Sequence, residues 1–457
     1  MSDTMHEEEQ NKRNIDLISL PKKSFWKLSI PISIFLIFET FYSIADMLWV
    51  SAFSMDAVFA VGASAPVLLL ISTFGDSIGQ GTNSIMSRYI GSNDYESSYN
   101  SLIHGVLVSV IVWIFILLSI DLLDDLLFLM NVIENQSYIL EYLNPLFICS
   151  IVFIFTNVFC ETLQSEGNSK TPVIIIVLSN ILNLILDPIF LFVFKMGLNG
   201  VAYASIISSL VGVLAFLYLY LGGKTKVPLS LKYFKFKFHI LYEIFKVAIP
   251  NFIDDSMSCI LAIFINSILI MELGETGLVL YAVSIKIRNL LRSPIKGLGR
   301  GLMSVTGHLF GAKKIDELNE MYIYVLKYSL FISAVIAILF FVLSGEVYAS
   351  FSVIGMETSI FYIALFGIVL IMVYPFSYIS MKMLNGFGKS YYALVFNILK
   401  IICEIVMMIF LADILPDGAC ILVGIMLGEI LFSIIYYTAL KVMFVRFEKN
   451  KDTLVVT

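Results

Sequence analysis

The feature that most constrains this chain is a recurring apolar run of about 20 residues, the length of helix that crosses roughly 30 Å of hydrocarbon. About twelve such runs lie between Phe25 and Met443. They read as spans at 25–51, 57–86, 100–120, 138–160, 172–194, 200–221, 242–270, 276–308, 321–343, 359–383, 391–412 and 418–440. Inside a bilayer every backbone polar group must be satisfied within the protein, so runs of this kind specify helices. The expected fold class is therefore an all-α membrane protein with twelve transmembrane helices. Composition agrees, with 59% hydrophobic and 14% charged residues. Ordinary soluble domains carry about 25% charged residues, and one soluble core could not hide this much apolar side chain.

Charge sets the orientation. Cations gather behind the even-numbered spans, at Arg88, Lys170, Lys224, Lys226, Lys232, Lys235, Lys237, Lys313, Lys314 and Lys389. More flank the ends, with Lys22, Lys23 and Lys27 at the start of the first span and Lys441, Arg446 and Lys449 after the last. Behind the odd-numbered spans lie acids, among them Asp56, Asp121, Asp124, Asp125, Glu134, Glu272, Glu275, Glu346, Asp413 and Asp417, with Lys195 as the one cation. The positive-inside rule then places both termini in the cytoplasm, which requires an even number of spans. The net charge of −6 averages two unlike faces and says little by itself. The first twenty residues are polar and contain no short apolar core, so no cleaved signal is expected and the first span serves as the insertion signal.

The longest polar break, from Leu221 to Ile240, divides the runs six and six. The organisation read from it is a tail at 1–24, an N-lobe at 25–221, a cytoplasmic linker at 222–241, a C-lobe at 242–440 and a second tail at 441–457. An internal repeat with a shift of about 220 residues supports the division. Ile30-Pro31 corresponds to Ile249-Pro250, where proline is tolerated in a first helical turn. Gly79-Gln80-Gly81 with Ile90-Gly91 corresponds to Gly299-Arg300-Gly301 with Phe310-Gly311, and LQSEGNSK from Leu163 corresponds to LNGFGKSY from Leu384. Because each half holds an even number of spans, the copies share an orientation, and a pseudo-twofold axis along the membrane normal is expected between the two lobes.

A carboxylate in mid-membrane costs about 2.5–3.5 kcal/mol on insertion scales and marks a functional candidate. On the first span Glu39 and Asp46 are seven apart, with Tyr42 and Ser43 between them, and share a face. On the fifth, Asn180, Asn183 and Asp187 also share one. Pro188 removes an amide and frees the carbonyl of Leu184, so carboxylate and carbonyl oxygens collect there as a hard cation such as Na⁺ requires. The sixth span adds Tyr203, Ser205 and Ser208. The plainer reading is that these groups tie helices together by hydrogen bonds.

The second half is basic. Asp254 and Asp255 lie early in the seventh span, while the eighth carries Lys286, Arg288, Arg292, Lys296 and Arg300, the last four as an i, i+4 ladder. Such a ladder must face a watery cavity, a partner acid or the cytoplasmic interface. Pairing with Asp254, Asp255 or Glu404 and contact with an anionic substrate weigh evenly, which makes Asp254, Asp255, Arg288 and Arg292 the substrate-cavity candidates. Lys400 and Glu404, one turn apart on the eleventh span, read as neutralising each other, and Glu429 on the twelfth as standing alone; both read as structural.

Absent motifs narrow the function further. The chain has no HExxH metal pair, no GxxxxGK[ST] phosphate loop and no G-x-S-x-G elbow. Its five cysteines, Cys149, Cys160, Cys259, Cys403 and Cys420, lie within or at the edges of apolar runs without ligand spacing and read as packing residues. The four histidines, His6, His104, His239 and His308, are scattered. No catalytic residue, cofactor, nucleic acid or obligatory protein partner is expected; the partners are a small-molecule substrate and the lipid bilayer.

The segment EGNSKTPVIIIVLSNILNLILDPIFLFVFKMGLNGVAYASIIS, Glu166 to Ser208, resembles the multidrug and toxic compound extrusion (MATE) family. IPISIFLIFETFYSIADMLWVSAF and GQGTNSIMSRYIGSND are similar to that family's first two helices, and the resemblance runs from Leu28 to about Lys441. It implies a twelve-helix, two-lobed secondary transporter of the plasma membrane. Such a transporter exchanges Na⁺ or H⁺ for hydrophobic or amphipathic small molecules by alternating access. The N-lobe cation site of archaeal-type members carries over to Asp46, Asn183, Asp187 and Ser205, the last being serine where the family pattern has threonine. Glu39 and Asn180 would support it, and Asp46, Asn183 and Asp187 would hold Na⁺. Another branch uses acids in helices seven and ten, but the tenth span here contains no carboxylate, which places coupling in the first half. A flippase for lipid-linked saccharides or lipids, from the wider superfamily, is the alternative reading.

Overall fold

The computed structural model describes the backbone of residues 18–123, 125, 136–229, 234–350, 357–412, 414 and 419–449. It describes their side chains except at residues 55, 258–286, 347–350, 357–366, 412 and 419. Regular structure among the described residues is entirely helical: α1 (Pro21–Phe53), α2 (Met55–Gly91), α3 (Tyr95–Leu118), α4 (Gln136–Ile148), α5 (Ser150–Ser165), α6 (Lys170–Pro188), α7 (Leu198–Leu221), α8 (Phe238–Gly311), α9 (Ile315–Ser350), α10 (Glu357–Gly386), α11 (Ser390–Ala412) and α12 (Ala419–Lys449). Among the described residues nine helices are long and apolar enough to cross a membrane, and one bent pair makes a tenth.

Two of the spans read from the sequence take a different form. The fourth is built from α4 and α5, which meet at 49° across Cys149. Pro145 inside α4 supplies no amide to the ladder, which weakens it just before the bend. The seventh and eighth fall in the single helical run α8, so the expected break at 271–275 has helical backbone. Its 74 residues far exceed the about 20 that one crossing needs, and both spans read from the sequence, 242–270 and 276–308, fall within it. The side chains of Cys259, Glu272, Glu275 and Lys286 lie outside the described residues, as do His6, Asp124, Glu134, Lys232, Asp413 and Asp417 altogether.

The helices gather into two compact units whose limits fall inside helices. One unit is Met1–Ser19 with Ile37–Ile249, and the other is Leu20–Leu36 with Pro250–Thr457. The opening turns of α1 thus pack with helices of the second half, and those of α8 with helices of the first. Sequence explains how. In the first unit a Cβ on Gly81 would lie 2.6 Å from the Ile244 carbonyl and 3.3 Å from Ala248, so only glycine lets the start of α8 settle against α2. In the second unit a Cβ on Gly301 would lie 2.1 Å from Ser29 Oγ, so the start of α1 settles against α8 in the same way. Gly81 and Gly301 are equivalent in the repeat, which gives that motif a packing role.

Polar contacts fix the same segments. Arg88 on α2 donates to Glu243 on α8 at 3.0 Å, with both side chains buried, and Lys246 donates to the other Glu243 oxygen at 2.9 Å. In the second unit Trp26 Nε1 donates to the Tyr324 hydroxyl at 2.9 Å, and Lys22 pairs with Glu320 at the exposed end. The remaining repeat landmarks are helix C-caps. Gly167 and Gly388 have φ of 83° and 70°, and the next amides, of Asn168 and Lys389, bond back to the carbonyls of Leu163 and Leu384 at 3.0 and 2.8 Å. The Asp94 and Lys314 amides reach Tyr89 and Leu309 in the same manner, after Asn93 and Lys313 at φ of 61° and 58°.

Candidate cation site

The first unit brings the predicted N-lobe residues together. α6 turns Asn183 and Asp187 inward, and both are buried, at 1% and 0% exposure. Asn183 Nδ2 donates to Asp187 Oδ1 at 3.2 Å and lies 3.3 Å from Ser205 Oγ on α7. From α1, the Tyr42 hydroxyl donates to Asn183 Oδ1, and the Asp46 carboxyl lies within electrostatic reach of that of Asp187. Asp46 Oδ1 and Asp187 Oδ2 are buried and receive no hydrogen bond from a protein donor.

Local sequence builds this arrangement. Asn183 and Asp187 are one turn apart, so the amide braces the carboxylate. After Pro188 the helix widens into a π-turn, Ile189–Val193, of the kind that often marks functional sites. Gly197, at φ 61°, then reverses the chain into α7, and a Cβ on Gly200 would meet Phe190 at 2.9 Å, so the turn stays tight enough to bring Ser205 to Asn183.

The supporting residues divide. Glu39 is exposed and within electrostatic reach of Tyr42, while Asn180 lies half-buried outside the hydrogen-bonded set. Ser208 bonds the Ser205 carbonyl at 3.0 Å and Tyr203 is exposed, so neither joins the cluster. Tyr142 of α4, buried within electrostatic reach of both Asp46 and Asp187, was not singled out from the sequence. A lone tyrosine in a broken span carries no spacing signal that would reveal it. The groups that face the two acids, Asn183, Ser205, Tyr42 and Tyr142, carry no positive charge. The donor set is therefore oxygen-rich and acidic, as a hard monovalent cation or a shared proton needs. Among the described residues no cluster of three His, Cys, Asp or Glu is arranged for a tightly held metal.

The C-lobe candidates fall in a different network. Asp254 Oδ1 accepts from Asn397 Nδ2 at 2.6 Å, and Asp255 is exposed. Arg292 lies over the ring of Tyr374 at 4.1 Å, and both Arg288 and Arg292 are within electrostatic reach of Glu404. Glu429 does not stand alone. Lys400 donates to its Oε2 at 3.1 Å and Ser377 to its Oε1 at 2.9 Å. The reading of Glu429 as isolated is thereby corrected: Lys400 lies within electrostatic reach of Glu404 on its own helix, as the spacing suggests, and also finds a hydrogen-bonded partner in Glu429 across the interface with α12.

A helical bundle with many membrane spans and a buried oxygen cluster inside one unit is the architecture of a polytopic membrane protein. The MatE family model matches residues 31–189 and 256–410, more than half of the chain, which therefore belongs to the MATE family of efflux transporters. The multidrug export protein MepA of Staphylococcus saprophyticus is 24% identical over 351 residues, covering 74% of this chain and 76% of that protein. A crystal structure of MATE in the bent conformation superposes with a TM-score of 0.92 at 26% identity, covering 96% of this chain and 99% of that one. A MOP superfamily transporter from Pyrococcus furiosus, whose binding pocket is described as of reverse polarity, gives 0.90 at 26% identity with the same coverage. The fold is thus the twelve-helix, two-lobed one of MATE transporters, whose members are not enzymes.

Proposed function

We propose that this protein is a multi-pass transporter of the cell membrane, with both termini cytoplasmic, that expels hydrophobic or amphipathic small molecules in exchange for Na⁺ or H⁺. The observation that carries the coupling half of this reading is that the Asp46 and Asp187 carboxyl groups lie within electrostatic reach of each other, beside the uncharged Asn183, Ser205, Tyr42 and Tyr142. Two like charges 4 Å apart repel by about 4 kcal/mol at an effective dielectric constant of 20. Fully ionised and unaccompanied, the pair would push α1 away from α6. One proton shared between them, or one Na⁺ drawn by their oxygens and the Ser205 hydroxyl, removes that repulsion and lets the helices close. Ion occupancy thereby biases the position of α1, whose opening turns belong to the other unit, and an ion gradient can drive alternating access.

The test is radioactive Na⁺ retention by purified protein across a pH series. Saturable Na⁺ binding in competition with protons, or saturable proton uptake alone, is expected for the native chain and should vanish in Asp46→Asn and in Asp187→Asn. Unchanged ion binding by both variants overturns the assignment. The export of many drugs by the MepA relative supports an amphipathic cargo.

A further inference from the structure

The linker is tied to the first unit at two places. At its start the buried Glu166 carboxylate, at the end of α5, accepts the amides of Lys226 and Val227 at 2.8 and 3.3 Å. Val227 is buried there among side chains of α3, α5 and α7. At its end, just before α8, the amide of Lys235 donates to Asn100 Oδ1 at 2.8 Å and that of Lys237 to His104 Nε2 at 3.1 Å. Asn100 and His104 are one turn apart on α3 and both are fully buried. Four residues of helix rise about 6.0 Å and two of extended chain about 6.6 Å, so the spacings on the two segments match.

The second of these bonds dictates the state of the imidazole. Nδ1 lies 2.7 Å from the Asn100 carbonyl, which can only accept, so Nδ1 carries a hydrogen. The Lys237 amide can only donate, so Nε2 must offer its lone pair. His104 is therefore neutral while the linker is docked. The ring lies between Phe234 and Phe236, with centroids 5.3 and 5.2 Å away. Aromatic faces tolerate an imidazolium. The Lys237 amide does not, because a protonated Nε2 would set one N–H against another. The charged groups at this place add to the effect. The Lys237 ammonium acts on the ring directly, and Glu96 is shared between Lys235 Nζ at 3.1 Å and Lys237 Nζ at 3.8 Å. On the helices packed against α3, Arg88 of α2 is bonded to Glu243 and Glu161 of α5 to Asn83.

We propose that His104 is a pH-sensitive latch for the end of the linker. The docked linker binds only the unprotonated ring, so docking is favoured at high pH and lost as pH falls. With the linker in the cytoplasm, as its lysines indicate, the latch reads cytoplasmic acidity and frees residues 234–237, which lead into the opening turns of α8. The tie at Glu166 contains no imidazole and stays closed. All of these groups belong to the first unit, and none of them is part of the Asp46 and Asp187 cluster.

Hydrogen–deuterium exchange tests this on the full-length protein in nanodiscs of zwitterionic lipid, from pH 8 to pH 5, with rates corrected for the intrinsic effect of pH. Protection of a peptide covering 232–241 is expected to fall by at least about tenfold over that range, the order of one lost hydrogen bond, while a peptide covering 222–229 holds its protection. His104→Gln supplies an acceptor oxygen that does not titrate and should leave 232–241 protected at both ends of the range. His104→Phe fills the same space without an acceptor and should leave 232–241 poorly protected throughout. Monodisperse elution shows that each variant is folded. Asp187→Asn should follow the native profile although it is expected to fail in ion coupling, which separates failure of the latch from failure of the coupling scheme. Native protection of 232–241 that is flat from pH 8 to 5, parallel opening of 222–229, a native-like pH response in His104→Gln, or native protection in His104→Phe overturns the proposal.

Discussion

Replacing Glu243 with methionine should strip the start of α8 from the first unit, and the size of the effect follows from burial. The Arg88 and Glu243 side chains are 4% and 3% exposed and meet at 3.0 Å. Removing one member of a buried pair leaves a charge without compensation and costs about 3–5 kcal/mol. The loss should be asymmetric. Without Glu243, Arg88 loses its buried carboxylate at 3.0 Å and keeps the Ser84 carbonyl, which its Nε reaches at 3.2 Å. Without Arg88, Glu243 keeps Lys246 at 2.9 Å, a half-exposed partner with a side chain 36% exposed. Arg88→Met should therefore cost less, about 1–3 kcal/mol, since a partly solvated ion pair still compensates the carboxylate. The double variant should be no worse than Glu243→Met alone, giving a coupling of about 2 kcal/mol, because an apolar pair of similar volume removes both desolvation costs. The assay is thermal unfolding in detergent followed with a thiol-reactive dye, for which the buried Cys160 and Cys420 serve as reporters, at one fixed scan rate because unfolding of such proteins is often irreversible. Equal or larger loss in Arg88→Met, or additive losses in the double variant, refutes the reasoning.

Other expectations follow from the same geometry. Gly81→Ala should destabilise by about 1–3 kcal/mol through collision with the Ile244 backbone, whereas Gly62→Ala, where a Cβ meets nothing within 4 Å, should be neutral or slightly stabilising in the same melt. Gly167→Ala and Gly388→Ala should lower stability by similar amounts, about 1–2 kcal/mol each, because both C-caps demand positive φ. Tyr42→Phe removes the donor that orients the Asn183 amide and should weaken ion binding by about tenfold without changing the melting temperature by more than a degree or two.

Much of this architecture was legible in the sequence because hydropathy is a local property. The spans at 100–120, 172–194, 200–221 and 391–412 correspond to α3, α6, α7 and α11 with small shifts at their ends. The bend at Cys149 was missed because hydropathy averages over a single helix breaker, although Pro145, four residues before it, marks the lost amide. In the site, Asn183 and Asp187 were readable as one helical face, but what joins them to Asp46 and Ser205 is contact between different helices, which the family resemblance supplied and spacing alone could not. The pairing of Lys400 was read only in part, for the complementary reason. Spacing of one turn allows Lys400 and Glu404 to meet, yet Glu429 from α12 lies closer to hand, and no local rule ranks a partner on another helix.

The central claim, that Asp46 and Asp187 couple an ion gradient to expulsion of cargo, is tested most directly by dye efflux from proteoliposomes under an imposed inward Na⁺ or H⁺ gradient. The native protein should drive efflux with at least one of the two gradients, and collapse of that gradient should stop it. Asp46→Asn and Asp187→Asn, inserted at native levels, should show no response to either gradient. Gradient-driven efflux at the native rate in both variants would contradict the account.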